Sequence, residues 1–146
     1  MSRPGTTTDV DVVVVAAGAS PRMAGIDKVA ATVGALPLVA RTLAALTGSP
    51  LIDRIVVVAA AERVEWFADA DWLPGRVVAV VAGGSRRQES VAAGVRALAA
   101  LDATDGPDAR TGGDDRLVLV HDGARPLVTP ALVERVAAAT GAHGAA

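Results

Sequence analysis

The chain of 146 residues is 51% hydrophobic and 2% aromatic, with a formal net charge of −2 and no cysteine. This composition is too apolar for disorder and too weakly charged for a nonspecific nucleic-acid coat protein, and it excludes disulfides, cysteine-ligated zinc, iron–sulfur clusters and thiol catalysis. No apolar run reaches about 18 residues and no secretory signal is visible, so we expect one cytoplasmic domain over residues 1–146 that binds neither membrane nor nucleic acid.

Four short apolar runs, rich in valine, predict β-strands that are buried on both faces. They cover residues 10–15, 54–60, 76–82 and 116–120. Helical patterns cover residues 38–46, 61–70, 88–101 and 129–140, the last with Thr129 as N-cap, Pro130 at N1 and Gly141 just past its end. Strands that alternate with helices indicate parallel strands and crossover helices, hence an α/β three-layer sandwich with a mostly parallel sheet.

Three segments are predicted to be irregular. Residues 1–9 are expected to form a disordered N-terminal tail, and residues 18–34 form a long loop rich in small residues. Residues 102–115 are acidic and glycine-rich, which predicts a solvated surface loop. Five aspartates in that loop could suggest calcium, but their spacing fits no EF-hand pattern.

Small and basic residues follow the first strand. In a parallel α/β sheet, ligands bind at the carboxyl ends of the strands. The segment Ala16-Ala17-Gly18-Ala19 would let backbone N–H groups approach a polyphosphate, and Arg22 and Lys28 would add charge. Neither a P-loop nor a dinucleotide fingerprint is present, so a plain turn with two solvated cations stays open. Lys28 is the only lysine in a chain that otherwise uses arginine.

Glycine and serine follow the third strand, as Gly83-Gly84-Ser85 before the predicted helix. The free N–H groups at the start of that helix could hold an anion or a base edge, and Ser85 and Ser90 add hydroxyls. Arg86 or Arg87 could hold a phosphate or be solvated. The glycines also suit a tight turn with Ser85 as N-cap, and both interpretations are kept.

The fourth strand ends in His121-Asp122-Gly123-Ala124-Arg125-Pro126. An aspartate at the tip of a buried strand is a natural Mg²⁺ ligand beside bound phosphates. Arg125 could pair with Asp122 or with a substrate phosphate. His121 is interpreted as a packing residue rather than a base, and Trp66 and Trp72 as packing residues rather than stacking platforms. Because three such motifs meet at one sheet edge, we expect a ligand site there.

These three segments resemble the signatures of the 2-C-methyl-D-erythritol 4-phosphate cytidylyltransferases, which belong to the nonmevalonate isoprenoid pathway. The resemblance runs from about residue 10 to residue 136 and implies a Rossmann-like, GT-A-like nucleotidyltransferase fold, Mg²⁺ as cofactor and a homodimer in full-length members. The matching residues are Ala16-Ala17-Gly18 with Arg22-Met23, Gly83-Gly84 with Arg87 and Ser90-Val91, and Val120-His121-Asp122-Gly123-Ala124-Arg125-Pro126.

The resemblance also implies a reaction and roles for residues. CMP would pass from CTP to 2-C-methyl-D-erythritol 4-phosphate, giving 4-diphosphocytidyl-2-C-methyl-D-erythritol and pyrophosphate. Arg22 and Lys28 would be the catalytic residues, stabilising charge at the α-phosphate. Asp122 would meet the metal and the incoming phosphate, with Gly123 and Arg125 at the acceptor substrate. The nucleotide would be bound by Ala16, Ala17, Gly18, Ala19, Gly83, Gly84, Ser85, Arg87 and Ser90.

The chain departs from the family pattern in several places. Ser20 stands where a glycine is usual, Asp27 stands where a proline usually precedes the lysine, and the interval from Arg22 to Lys28 is one residue shorter. Family members continue well beyond this length, so the resemblance implies a missing C-terminal part and little or no activity for residues 1–146 alone. It leaves the oligomeric state of this shorter chain open.

Two other functions stay open on the sequence alone. One is a related nucleotidyltransferase that acts on ribitol 5-phosphate or a sugar phosphate, because the acceptor contacts lie largely in the part that is missing. The other is a noncatalytic nucleotide-binding module. A panel of phosphorylated acceptors separates the first from the main interpretation, and a nucleotide titration tests the second, because a lack of preference for CTP counts against a cytidylyltransferase.

Overall fold

The computed structural model describes residues 9–18, 27–105 and 116–145. Its central sheet has the strand order β5-β4-β1-β6, and every neighbouring pair is parallel. The strands of this sheet are β1 (Val10–Ala16), β4 (Ile52–Ala59), β5 (Val77–Ala82) and β6 (Leu117–Asp122), and a separate antiparallel hairpin comprises β2 (Thr32–Val33) and β3 (Leu36–Pro37). The helices are α1 (Leu38–Thr47), α2 (Val64–Ala68), α3 (Arg87–Asp105) and α4 (Pro130–His143), with a 3₁₀ turn over Ala61–Arg63.

Helices cover both faces of the sheet, and β1 supplies side chains to both cores. Val12 and Val14 lie in one cluster with Leu43 of α1 and Val133 of α4. Val13 points to the opposite face and lies in a second cluster with Leu98 of α3. Because alternate residues of a strand face opposite sides, an unbroken valine run is what a strand between two helical layers requires. The predicted three-layer α/β sandwich is confirmed.

Gly94 lets α3 pack closely on the sheet. A Cβ atom at this position would lie 2.4 Å from Cγ1 of Val13 and 3.0 Å from Cγ2 of Val58. Only a residue without a side chain fits at that distance, so the glycine in the middle of the helix has a packing function that offsets its low helix propensity.

The strand order creates a switch point between β1 and β6. From β1 the chain moves to β4 and then β5 on one side, and after α3 it returns to place β6 on the other side of β1. The connections therefore diverge where β1 and β6 end, and they leave a crevice at that edge of the sheet. We call the edge where the four strands end the carboxyl edge, and the opposite one the amino edge.

Several element bounds differ from the sequence-based expectations. The helix α3 continues to Asp105, so residues 102–105 are helical rather than part of a loop, whereas residues 106–115 lie outside the described residues. The strand β6 runs through Asp122, two residues past its predicted end, because its ladder with β1 continues to the pair of Val15 and Asp122. The predicted loop over 18–34 contains the strand β2, and the predicted helix over 61–70 is a 3₁₀ turn followed by the short α2.

The start of α4 agrees with the prediction, but its end does not. Thr129 is the N-cap, its hydroxyl oxygen accepts from the N–H of Leu132 at 3.2 Å, and Pro130 follows as the first helical residue. Gly141 does not end the helix. The chain turns at Gly144, where φ is +84° and the N–H donates to the carbonyl of Thr140 at 2.7 Å. Gly144 has the positive φ that favours glycine at a helix end, and Gly141 does not.

A buried ion-pair cluster closes the amino edge. Asp11 is 2% exposed, and its carboxylate accepts from Arg54 Nη2 and from Arg116 Nη2, each at 2.6 Å. Arg54 also pairs with Asp102 of α3, and Arg116 pairs with Asp53 of β4. Burial by itself would raise the pKa of Asp11, but the hydrogen bonds and charges of the two arginines outweigh it and hold that pKa below its ordinary value. The cluster joins three strands and α3 at the edge away from the crevice.

Within the described ranges, no helix combines the length and apolar character that crossing a membrane would need.

Candidate active site

The residues that follow β1 and β5 lie close together at the carboxyl edge. A Cβ atom at Gly83 would fall 2.5 Å from Oγ of Ser90, 2.8 Å from Cβ of Ala17 and 3.0 Å from Cγ1 of Val58. The N–H of Gly83 donates to the carbonyl of Ala59 at 2.8 Å, which holds the loop in this position. The structure therefore brings together Ala17, Gly83 and Ser90, which the sequence placed in two separate nucleotide-binding motifs.

The end of β6 is fixed against β1 through Gly123. Its N–H donates to the carbonyl of Val15 at 2.9 Å, and a Cβ there would lie 3.1 Å from Cβ of Ala16. On its other side, the carbonyl of Gly123 accepts from the fully buried hydroxyl of Thr42 at 2.7 Å. Sequence reasoning missed Thr42, and the only signal for it was a polar residue within the apolar pattern of α1.

Asp122 lies between two arginines at the crevice. Arg87 Nη1 donates to Oδ1 of Asp122, and Arg125 Nε lies 3.0 Å from Oδ2. The side chains of Arg87 and Arg125 are 57% and 77% exposed, so both guanidinium groups stay accessible to solvent. One carboxylate thus orients two exposed cations, and the arrangement carries a net positive charge suited to a phosphate.

Asp122 is the Mg²⁺ ligand that the sequence predicts. Mg²⁺ takes oxygen ligands in octahedral geometry and usually binds through one or two carboxylates together with substrate phosphates and waters. No three acidic or histidine side chains converge on a metal position within the described ranges. Both oxygens of Asp122 are paired with arginine. These side chains do not fit a metal site that the protein forms alone.

Glu89 closes the first turn of α3. Its Oε2 accepts from the backbone N–H of Arg86 and from the hydroxyl of Ser85, each at 3.0 Å. These two bonds hold the pKa of Glu89 below its ordinary value, and the bond from the backbone N–H of Arg86 has the larger effect. The predicted N-cap role of Ser85 is wrong, because Ser85 lies two residues before α3 and donates its hydroxyl to Glu89. Sequence reasoning missed Glu89, although a glutamate in the third helical position is a known capping signal.

Lys28 lies in a turn between β1 and the hairpin. Its side chain is partly exposed and has no ion-pair partner among the described residues. Gly18 is exposed, and a Cβ there would meet no other described residue within 4 Å apart from its chain neighbour. Arg22 and Ala19 lie outside the described residues, and so does Ser20, so their expected roles remain predictions.

His121 is half-buried near the end of β6, whereas the aromatic residues pack against the core. Burial lowers the pKa of His121, which keeps the imidazole neutral near pH 7. The rings of Trp66, Phe67 and Trp72 contact one another, with centroids 4.9 to 5.9 Å apart, and pack against the larger core cluster. This geometry agrees with the interpretation of both tryptophans as packing residues.

Comparison with known proteins places the chain in a family. Residues 10–146 match the sequence profile of 2-C-methyl-D-erythritol 4-phosphate cytidylyltransferase. The chain is 37% identical over 123 residues to the protein of that name from Dehalococcoides mccartyi strain CBDB1, covering 83% of this chain and 48% of the relative. It is 39% identical over 137 residues to the Frankia casuarinae protein of the same name, covering 93% and 46%.

A solved structure supports the fold. The 4-diphosphocytidyl-2C-methyl-D-erythritol synthase from Anaerococcus prevotii DSM 20548 superposes with a TM-score of 0.64 at 22% identity, over 92% of this chain and 52% of that chain. The chain spans about half the length of the curated relatives that it matches. Since the profile match covers nearly every residue, the chain belongs to the 2-C-methyl-D-erythritol 4-phosphate cytidylyltransferase family.

Proposed function

We propose that this chain forms the nucleotide-binding part of an enzyme that transfers CMP from CTP to 2-C-methyl-D-erythritol 4-phosphate and releases pyrophosphate. Membership of the family supports this function. The observation that carries it is the meeting of three strand ends at the carboxyl edge. Gly83 lies close to Ala17, Gly123 lies close to Ala16, and the neighbouring Asp122 pairs with the guanidinium groups of Arg87 and Arg125. Backbone N–H groups and exposed cations in one crevice suit a triphosphate.

The proposed reaction needs little covalent participation by the protein. A phosphate oxygen of the acceptor attacks the α-phosphorus of CTP, and the bond to the bridging oxygen breaks, so pyrophosphate leaves with the electron pair. The acceptor phosphate is already largely ionised near pH 7, because its second pKa is about 6. No strong general base is needed. The remaining work is to align two anions and to stabilise the developing charge.

The proposed roles divide between the two sides of the crevice. The loop from Ala16 to Ala19 would lie against the phosphates of CTP, with Arg22 and Lys28 neutralising charge at the α-phosphate. The segment from Gly83 to Ser85, with Ser90, would hold cytosine and ribose. Arg125 and Asp122 would face the acceptor phosphate, while Arg87 would connect the nucleotide side to Asp122.

Mg²⁺ is part of the proposal, as a companion of the nucleotide. Because Asp122 is paired with two arginines, we propose that the cation arrives with the triphosphate rather than in a site formed by the protein beforehand. When bound, Mg²⁺ would neutralise phosphate charge. We further propose that the full-length protein is cytoplasmic and forms a homodimer. Light scattering on the full-length protein tests the homodimer.

Calorimetric titration of the chain with CTP, UTP, ATP and GTP tests the nucleotide. We expect CTP to bind most tightly, and equal affinities for all four would contradict the proposal. For the acceptor, pyrophosphate release by the full-length protein is measured with methylerythritol phosphate, ribitol 5-phosphate and a sugar phosphate. Faster release with either of the last two would assign another acceptor.

A further inference from the structure

The turn that carries Lys28 is closed by the side chain of Asp27. Oδ1 of Asp27 accepts from the N–H of Val29 at 3.0 Å and from the N–H of Ala30 at 3.3 Å. The backbone carbonyl of Asp27 accepts from the N–H of Ala31 at 2.9 Å. Aspartate commonly forms such bonds to the residues that follow it. Lys28 is therefore the second residue of a closed turn.

The same turn is fastened to the core and to α1. Val29 packs against the larger core cluster, and its carbonyl accepts from the N–H of Val39 at 3.2 Å. The carbonyl of Ala31 accepts from the N–H of Leu38 at 2.8 Å. These contacts fix the backbone that follows Lys28, and the bonds of Asp27 fix the turn that contains it.

Arg63 holds the second oxygen of Asp27. Arg63 Nη2 pairs with Oδ2, and the two side chains are 35% and 40% exposed. The guanidinium group also lies 5.4 Å above the ring of Trp66, within the range of a cation–π contact. Arg63 follows β4, so the pair connects the Lys28 turn to the carboxyl edge through a second element.

The pair of Arg63 and Asp27 affects the charge around Lys28. A carboxylate next to a lysine attracts its ammonium group, and a cation already bound to that carboxylate weakens the attraction. Arg63 neutralises Asp27, and Lys28 makes no ion pair with any described residue. We propose that Asp27 and Arg63 are positioning residues: together they fix the Lys28 turn and keep the charge of Asp27 away from Lys28, which leaves the ammonium group free for the triphosphate. The part about the triphosphate rests on the proposed function.

Nucleotide binding by three variants tests this inference. Arg63→Ala should weaken CTP binding roughly twofold to fivefold, the size of an exposed charge–charge interaction, because Asp27 then competes for Lys28. The double variant Arg63→Ala with Asp27→Asn should regain the parent affinity, since the carboxamide oxygen still accepts from Val29 and carries no charge. If the double variant binds CTP as weakly as Arg63→Ala, Arg63 contacts the nucleotide itself and the inference is wrong. Arg96→Ala, an exposed arginine of α3, is the matched control and should leave the affinity unchanged.

The reactivity of Lys28 gives a second test that needs no nucleotide. Lys28 is the only lysine, so its acetylation rate can be followed by mass spectrometry of the peptide that contains it. An ammonium group paired with a carboxylate reacts more slowly, so the rate should fall in Arg63→Ala and recover in the double variant. Equal rates in all variants would overturn the inference. If the rates follow the expected pattern while the parent chain shows no preference for CTP, the proposed function fails and the positioning of Lys28 stands.

Discussion

Arg87 at the first residue of α3 donates to Oδ1 of Asp122, which lies 35 residues later at the end of β6. The contact joins the start of α3, which follows the loop after β5, to the end of β6, where the next loop begins. These loops carry the residues assigned to the nucleotide and to the acceptor. The pair therefore provides a physical connection between the two halves of the proposed site.

Arg87→Ala tests the arginine beside Asp122. We expect CTP affinity to fall about tenfold, because the variant removes a charged hydrogen-bond donor. One hydrogen bond to a charged group contributes on the order of 1.5 kcal/mol. Arg86→Ala is the matched control, since the Arg86 side chain has no ion-pair partner among the described residues and only its backbone N–H bonds to Glu89. Calorimetry on both variants makes the comparison, and equal losses would show that only overall charge matters.

Gly83→Ala tests the close approach of the loops after β1 and β5. The added methyl group would meet Ser90, Ala17 and Val58 at 2.5 to 3.0 Å, so the loops must move apart. We expect the free energy of unfolding to fall by about 1 to 3 kcal/mol, and CTP affinity to fall as well. Urea unfolding measures the first quantity. Gly75→Ala serves as control because, apart from its two chain neighbours, no described residue lies within 4 Å of its Cβ position. A similar loss there would contradict the packing argument.

The buried Asp11 predicts how stability depends on pH. Its folded pKa lies below the ordinary value of 3.8, so its ionised form stabilises the fold at every pH above that value. As pH falls below 3.8 the unfolded chain takes up the proton first, and the contribution is lost as pH passes the folded pKa. Asp11→Asn should therefore reduce the free energy of unfolding by about 3 kcal/mol at pH 7, with a smaller difference below pH 3.8.

Urea unfolding of the parent chain and Asp11→Asn at several pH values measures this difference. Asp69→Asn, an exposed aspartate, is the control and should change little. If Asp11→Asn does not fold at pH 7, Arg54→Lys gives the milder test, since one donor to Asp11 is retained. A difference that stays constant down to the lowest pH would contradict the account of the cluster.

The pairing of Asp122 with two arginines predicts how Mg²⁺ binds. We expect the chain alone to show no saturable Mg²⁺ binding in calorimetry, and CTP affinity to rise when Mg²⁺ is present. Saturable binding of Mg²⁺ without nucleotide, abolished by Asp122→Asn, would show instead that the protein forms its own metal site.

The sequence predicts most of the fold, because valine runs and helical spacing are local signals. Gly83, Ser90 and Gly123 could be assigned to one edge, since parallel strands end together. The contacts among them could not be predicted, because they depend on loop geometry. The same limit applies to Asp11, which the sequence places only within the predicted strand over residues 10–15. Its partners Arg54 and Arg116 lie 43 and 105 residues away, and only strand register brings them together.

The role of Asp27, which stands where the family usually has a proline, could not be predicted for a similar reason. The sequence shows an aspartate before Lys28, but its partner Arg63 lies in a different element and carries no pattern of its own. The prediction for Gly141 is wrong for a local reason: two glycines lie near the end of α4, and of these two only Gly144 has a positive φ.

Amide chemical-shift mapping tests the central claim most directly. With ¹⁵N-labelled chain, CTP should shift the amides of residues 16–18, 83–85 and 122–125 at the carboxyl edge, and the same concentration of UTP should shift them less. The amides of residues 52–54 and 116–118 at the amino edge should not move. Shifts confined to the amino edge, or identical shifts with both nucleotides, would contradict a CTP site at the switch point.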